Sequence, residues 1–168
     1  PFNLGTLVCL PKKPVAHHHD IGDVYAPEGT RPLSIVDTSN RILANAFRHR
    51  WEPHLAQWIS PEQRGFLPGR SILANVVDIE EAAVMAALQE DEAAIFLFDF
   101  AAAFPSVSQD FLLRALSHIG LPAGALHAVR ALYDNNRCRL AFGGQLWGGF
   151  LQEAGIRQGC QLSPILFA

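Results

Sequence analysis

One carboxylate inside an almost unbroken apolar run constrains this chain more than any other feature. Ala93 to Phe98 and Phe100 to Phe104 are apolar on either side of Asp99, and Pro105 ends the run. Neither stretch approaches the ~20 residues of a membrane-spanning helix, so no membrane partner is expected. Ala94 to Phe100 shows almost no alternation, which predicts a central strand covered on both faces. A carboxylate at the end of such a strand leaves water at a cost of roughly several kcal/mol unless it meets donors or a cation. A divalent metal is one such cation. Magnesium sites that handle triphosphates take one or two carboxylates plus phosphate oxygens. A cap on the Ala-rich turn, or an ion pair with an arginine, would serve Asp99 as well, and the strand alone favours these plainer partners.

The rest of the chain can fold around such a strand. Its 168 residues are 49% apolar and 17% charged, a globular composition for about one domain. The net charge of -3 speaks against nucleic-acid binding by the whole surface, yet it divides into +2 over residues 1–70 and -5 over 71–168. Arg41, Arg48, Arg50, Arg64 and Arg70 face only Glu52 and Glu62 within 41–70. That surplus suits either a phosphate backbone or a solvated helix face. Cys9, Cys138 and Cys160 are odd in number and lack CxxC spacing, so neither a disulfide framework nor a zinc site is indicated. An intracellular protein, of nucleus or cytoplasm, is the simpler expectation.

Thr6–Leu10 and Arg31–Val36 read as strands of a hairpin with a long polar tip. In that tip, His17-His18-His19-Asp20 offers transition-metal ligands, a solvated loop being the plainer reading. Asp37-Thr38-Ser39 caps a helix from Asn40 to about Leu55, which Pro53 should bend or end. Ser71 caps a second helix through Ile72, Val76, Ile79, Ala83 and Ala87. Ser106–Ile119 and Pro122–Asn135 follow as helices. Arg137–Phe142 and Leu146–Ala154 flank the hairpin turn Gly143-Gly144. Gln161–Ala168 closes as a helix.

Two loops could give Asp99 a chemical context. Phe104 stands five residues beyond it, behind three alanines, where a ring can wall a pocket or join the core. Arg157-Gln158-Gly159 opens a helix, and a glycine there permits close backbone approach, with exposed amides that suit anions. Taken singly, each reads equally well as ordinary packing.

Five blocks in order make a stronger pattern: Leu10-Pro11-Lys12-Lys13, Arg31-Pro32-Leu33-Ser34, Ser60 to Ser71, Phe98 to Phe104, and Gly155 to Pro164. In these blocks the chain resembles the reverse transcriptases of non-LTR (LINE-like) retrotransposons, with group II intron enzymes as more distant relatives. The resemblance implies an α+β fold, the fingers (about 1–92) and partial palm (about 93–168) of a right-hand polymerase. It implies an RNA-directed DNA polymerase that uses Mg2+, an RNA template, a DNA primer and deoxynucleoside triphosphates. Asp99 matches the first catalytic, metal-binding carboxylate, and Phe104 the aromatic under the nucleotide sugar. Gln158 with Gly159 matches the support of the incoming nucleotide, and Arg157 falls in the same block. Arg31 and one of Lys12 or Lys13 match cations that grip the triphosphate. Arg64, Gly65, Gly69 and Arg70 fall in the block that lines the template path.

The sequence departs from that pattern at Pro105, where the family commonly has Asp, and in the length of the Pro14–Thr30 loop. It also contains no Asp-Asp pair. The expectation is therefore of a fragment inactive alone, with the remaining palm and the thumb supplied by the same polypeptide downstream. The other reading is a non-catalytic relic or domesticated nucleic-acid-binding module.

Overall fold

The computed structural model describes residues 2–89 and 92–168. Strand β1 (Leu4–Pro11) pairs antiparallel with β4 (Thr30–Val36), Leu10 opposite Arg31, as the hairpin reading requires. The long tip is itself a small hairpin, β2 (Ala16–His18) with β3 (Gly22–Val24). The His17 ring and the Asp23 carboxylate lie 2.8 Å apart across it. Strand β1 also runs parallel to β5 (Arg137–Phe142), placing Gly5 opposite Cys138. The Gly143-Gly144 turn then carries the chain into β6 (Gln145–Leu151). The resulting sheet has the order β4-β1-β5-β6, so its middle joins segments about 130 residues apart in the chain.

Helix α1 (Thr38–Leu55) starts where the Asp37 carboxylate accepts the Ser39 amide at 2.8 Å, and this bond holds the Asp37 carboxyl below the usual range. It runs through Pro53 without a break and stops two residues later. Helix α2 (Ile72–Leu88) has the expected Ser71 cap but buries none of its side chains. A short α3 (Ala103–Ser106) precedes α4 (Gln109–His118), whose start is set by the Ser108 hydroxyl accepting from the Phe111 amide, three residues later than the sequence suggests. Helices α5 (Ala123–Tyr133) and α6 (Ser163–Phe167) complete the described elements. The core lies among α1, α4, α5, α6 and the Ile156–Leu162 loop, with Ala44, Leu112, Leu116, Val129, Leu132, Ile156, Leu162 and Ile165 buried together.

The expected central strand at Ala94–Phe100 does not form. Residues 92–100 have no regular secondary structure, and Leu97 and Phe98 are 86% and 91% exposed. A strand of this composition needs a ladder on each edge and cover on both faces, and no described strand pairs with it. Of the expectations for residues 90–92, those for Glu90 and Asp91 fall outside the described residues.

Candidate nucleotide site

The loop from Gly155 to Gly159 joins two of the sequence blocks. At one end the Gly155 and Ile156 amides donate to the Val107 and Phe104 carbonyls at 2.8 and 2.9 Å. At the other end the Ser34 amide, on β4, donates to the Gln158 carbonyl at 2.9 Å. Both glycines are required by contact and by conformation. A Cβ on Gly155 (φ +80°) would stand 2.8 Å from the Pro105 carbonyl oxygen, and one on Gly159 (φ +107°) 2.8 Å from that of Ser34. The loop is thus seated between the Phe104 turn and the Arg31–Ser34 strand. A groove of about 240 Å³ follows this junction, lined by Leu7, Pro32, Ser34, Pro105, Ile156 and Gln158 among others. The Gln158 Oε1 is buried and has no hydrogen-bond partner among the described residues. The Phe104 ring is half-buried, packed on the core and 4.9 Å from the Phe167 ring.

Arg157, grouped by sequence with the nucleotide contacts, turns the other way. It is 1% exposed, and its guanidinium donates to Oδ1 of Asn136 (2.8 Å), Asn40 (3.2 Å) and Asn3 (3.3 Å) and to the Leu132 carbonyl. Its charge also lies over the Tyr133 ring, 5.6 Å from the centroid. Burial lowers the arginine's pKa, and no carboxylate pairs with it among the described residues. A guanidinium so enclosed cannot touch a phosphate. It fastens the residue before β1, helix α1 and the end of α5 to the loop that carries Gln158. The sequence gives no sign that Asn3, Asn40 and Asn136 form one cradle, since each is only a polar residue beside an apolar run.

The basic positions divide in the same way. Lys12 and Lys13 follow β1, both amides donating to the Gly29 carbonyl at 2.9 and 3.0 Å. Their side chains and that of Arg31 are exposed at one end of the β1–β4 hairpin. The Arg70 guanidinium is turned onto the chain's own backbone, donating to the carbonyls of Ser60, Gln63, Ala56 and Ile59 at 2.6, 2.8, 3.0 and 3.2 Å. Arg64 is held by Asp78, 2.6 Å away. These two arginines, with the turn made by Gly69 (φ +72°), stiffen the α1–α2 connection instead. Gly65 lies in the same connection, its amide near the Gln63 side chain at 3.4 Å.

Residues 10–168 match the family described as reverse transcriptase (RNA-dependent DNA polymerase). The chain belongs to the reverse transcriptase family. It is 28% identical over 162 residues to the transposon TX1 uncharacterized 149 kDa protein of Xenopus laevis, covering 96% of this chain and 12% of that protein. Similarity extends to the Pol polyprotein of the type-2 retrotransposable element R2DM of Drosophila melanogaster, 28% identical over 84% of this chain and 13% of that protein. It extends also to the Pol polyprotein of the type-1 element R2 of Popillia japonica, 25% identical over 87% of this chain and 20% of that protein. The chain therefore spans about an eighth to a fifth of the length of these relatives.

Reverse transcriptases generally use divalent metal ions. In this member Asp99 is exposed, so the desolvation cost inferred from its apolar neighbours is not incurred here. Neither plainer partner is present among the described residues: α3 is capped by Ala102 without a side-chain bond, and no arginine pairs with Asp99. Its donor set fits one position of a hard cation's shell, which phosphate oxygens, water and other carboxylates would have to complete.

Proposed function

We propose that this chain is the fingers and part of the palm of a right-hand polymerase, about 1–92 mostly fingers and 93–168 mostly palm. The whole polypeptide, in this reading, copies an RNA template onto a DNA primer from deoxynucleoside triphosphates, as the reverse transcriptase of a non-LTR retrotransposon. The observation that carries it is the seat of the Gly155–Gly159 loop between the Phe104 turn and Ser34, which brings together three blocks 50 to 120 residues apart.

Lys12 or Lys13 and Arg31 meet the triphosphate, their charges compensating its own. Phe104 packs under the sugar, and the partnerless Gln158 Oε1 offers an acceptor to a nucleotide donor, relieving a buried unpaired group worth ~1–3 kcal/mol. Asp99 would hold Mg2+ together with carboxylates from the remainder of the polypeptide. Magnesium bound there would make the primer hydroxyl more acidic and neutralise phosphate charge during in-line displacement. The apolar surface of residues 93–100 is where further palm strands would pair. Arg157 acts through its neighbour, fixing Gln158.

Primer extension on an RNA template by the full polypeptide tests this reading. Asp99→Asn is expected to abolish extension while template binding and the folded signal persist. Extension at the unsubstituted rate would overturn the assignment.

A further inference from the structure

A second groove, of about 440 Å³, lies between the end of α1 and the turn from α4 to α5, away from the residues assigned above. Arg50, His54 and Trp58 line one wall at four-residue spacing, and Ile119, Gly120 and Pro122 belong to the opposite wall. The helical path continues past Leu55, with the Ala56 and Trp58 amides donating to the Glu52 and Leu55 carbonyls at 2.9 Å each. Trp51 steadies the inner side, stacked on Phe47 at 4.6 Å and 4° and packed against the core. The Trp58 indole is 66% exposed.

Among the described residues no carboxylate lines this groove. The nearest acid on the helix, Glu52, is buried and accepts two bonds from Arg48 at 3.1 Å. The negative end of α1 would ordinarily repel an anion, but Arg70 donates to the Ala56 and Ile59 carbonyls there. The other grooves near α4 and α5 contain Asp110, in one case with Asp134 and Glu153. An open aromatic face beside a guanidinium, with acids excluded, suits a base and its phosphate.

We propose that this groove binds one nucleotide of a single-stranded nucleic acid, the base stacked on Trp58 and the phosphate held by Arg50 with His54 beside it. The choice of nucleic acid over another aromatic anion rests on the reverse transcriptase reading.

Intrinsic tryptophan fluorescence of the chain, titrated with a short oligouridylate at low salt, tests it. Binding is expected to quench the signal. Trp58→Ala should remove most of the quench and weaken affinity by ~5- to 100-fold, while Trp58→Phe restores most of the affinity. Arg50→Ala should lower the slope of log affinity against log salt by about one. Trp147→Phe, on β6, should leave affinity unchanged. Unaltered affinity in Trp58→Ala, or no binding by the unsubstituted chain, would overturn the proposal. Neither result touches primer extension by the full polypeptide, which stands or falls on Asp99; extension unaltered by Asp99→Asn with the quench intact would remove that reading and keep this site.

Discussion

Two parts of the molecule have similar apolar content and opposite fates. Around Arg157, the residues of α1, α4, α5 and α6 close over one another, and even a guanidinium is taken inside because four oxygens surround it. From Ile72 to Phe100 the chain is as rich in Leu, Ile, Val and Phe, yet no apolar side chain of α2 is buried and Leu97 and Phe98 stand open. The difference teaches that an apolar pattern declares which surface needs cover and says nothing about where the cover comes from. In the first part it comes from within the chain. In the second, the polymerase reading assigns it to the remainder of the polypeptide.

Substitutions should separate the two parts sharply. Arg157→Met leaves the buried Oδ1 atoms of Asn40 and Asn136 without this donor and should cost the most, ~3 kcal/mol or more in the urea unfolding of the chain. Leu132→Ala, in the same core, should cost ~2–4 kcal/mol in the same measurement. Burial pushes the Tyr133 hydroxyl up to about 12, above the ~10 of an unfolded tyrosine. Because the folded value is the higher one, the associated stability is full below pH ~10 and is lost as pH rises through about 12. That loss should reach on the order of 2–3 kcal/mol, and Tyr133→Phe should flatten it in unfolding midpoints taken across this range. Leu97→Ser and Phe98→Ser should fall within about 0.5 kcal/mol of the unsubstituted chain. A large cost for either would mean that residues 93–100 have a partner inside the chain, and the contrast would fail.

Local chemistry was the legible part of the sequence. Ser71 caps its helix, Gly143-Gly144 makes its turn, and the β1–β4 hairpin closes as the strand pattern implies. Tertiary commitments were not legible. The run at Ala94–Phe100 carries the composition of a buried strand, but composition does not supply a ladder partner. Arg70 falls in the template block and Arg157 in the nucleotide block because a sequence shows charge and hides direction; in the fold, four carbonyls and an asparagine cradle take their donors. Gly159 was legible as a place of close backbone approach, whereas the surface it approaches, the Ser34 carbonyl, came only from the fold.

The proposed nucleotide site depends on that approach. Gly159→Ala sets a methyl group against the Ser34 carbonyl at a φ that alanine resists, while Gly124→Ala, on α5, meets no atom within 4 Å. The deciding measurement is kcat/KM for deoxynucleotide incorporation by the full polypeptide carrying each substitution. Displacement of Gln158 should lower it by roughly 100-fold in Gly159→Ala and leave Gly124→Ala near the unsubstituted value. Equal rates for the two variants would contradict the account.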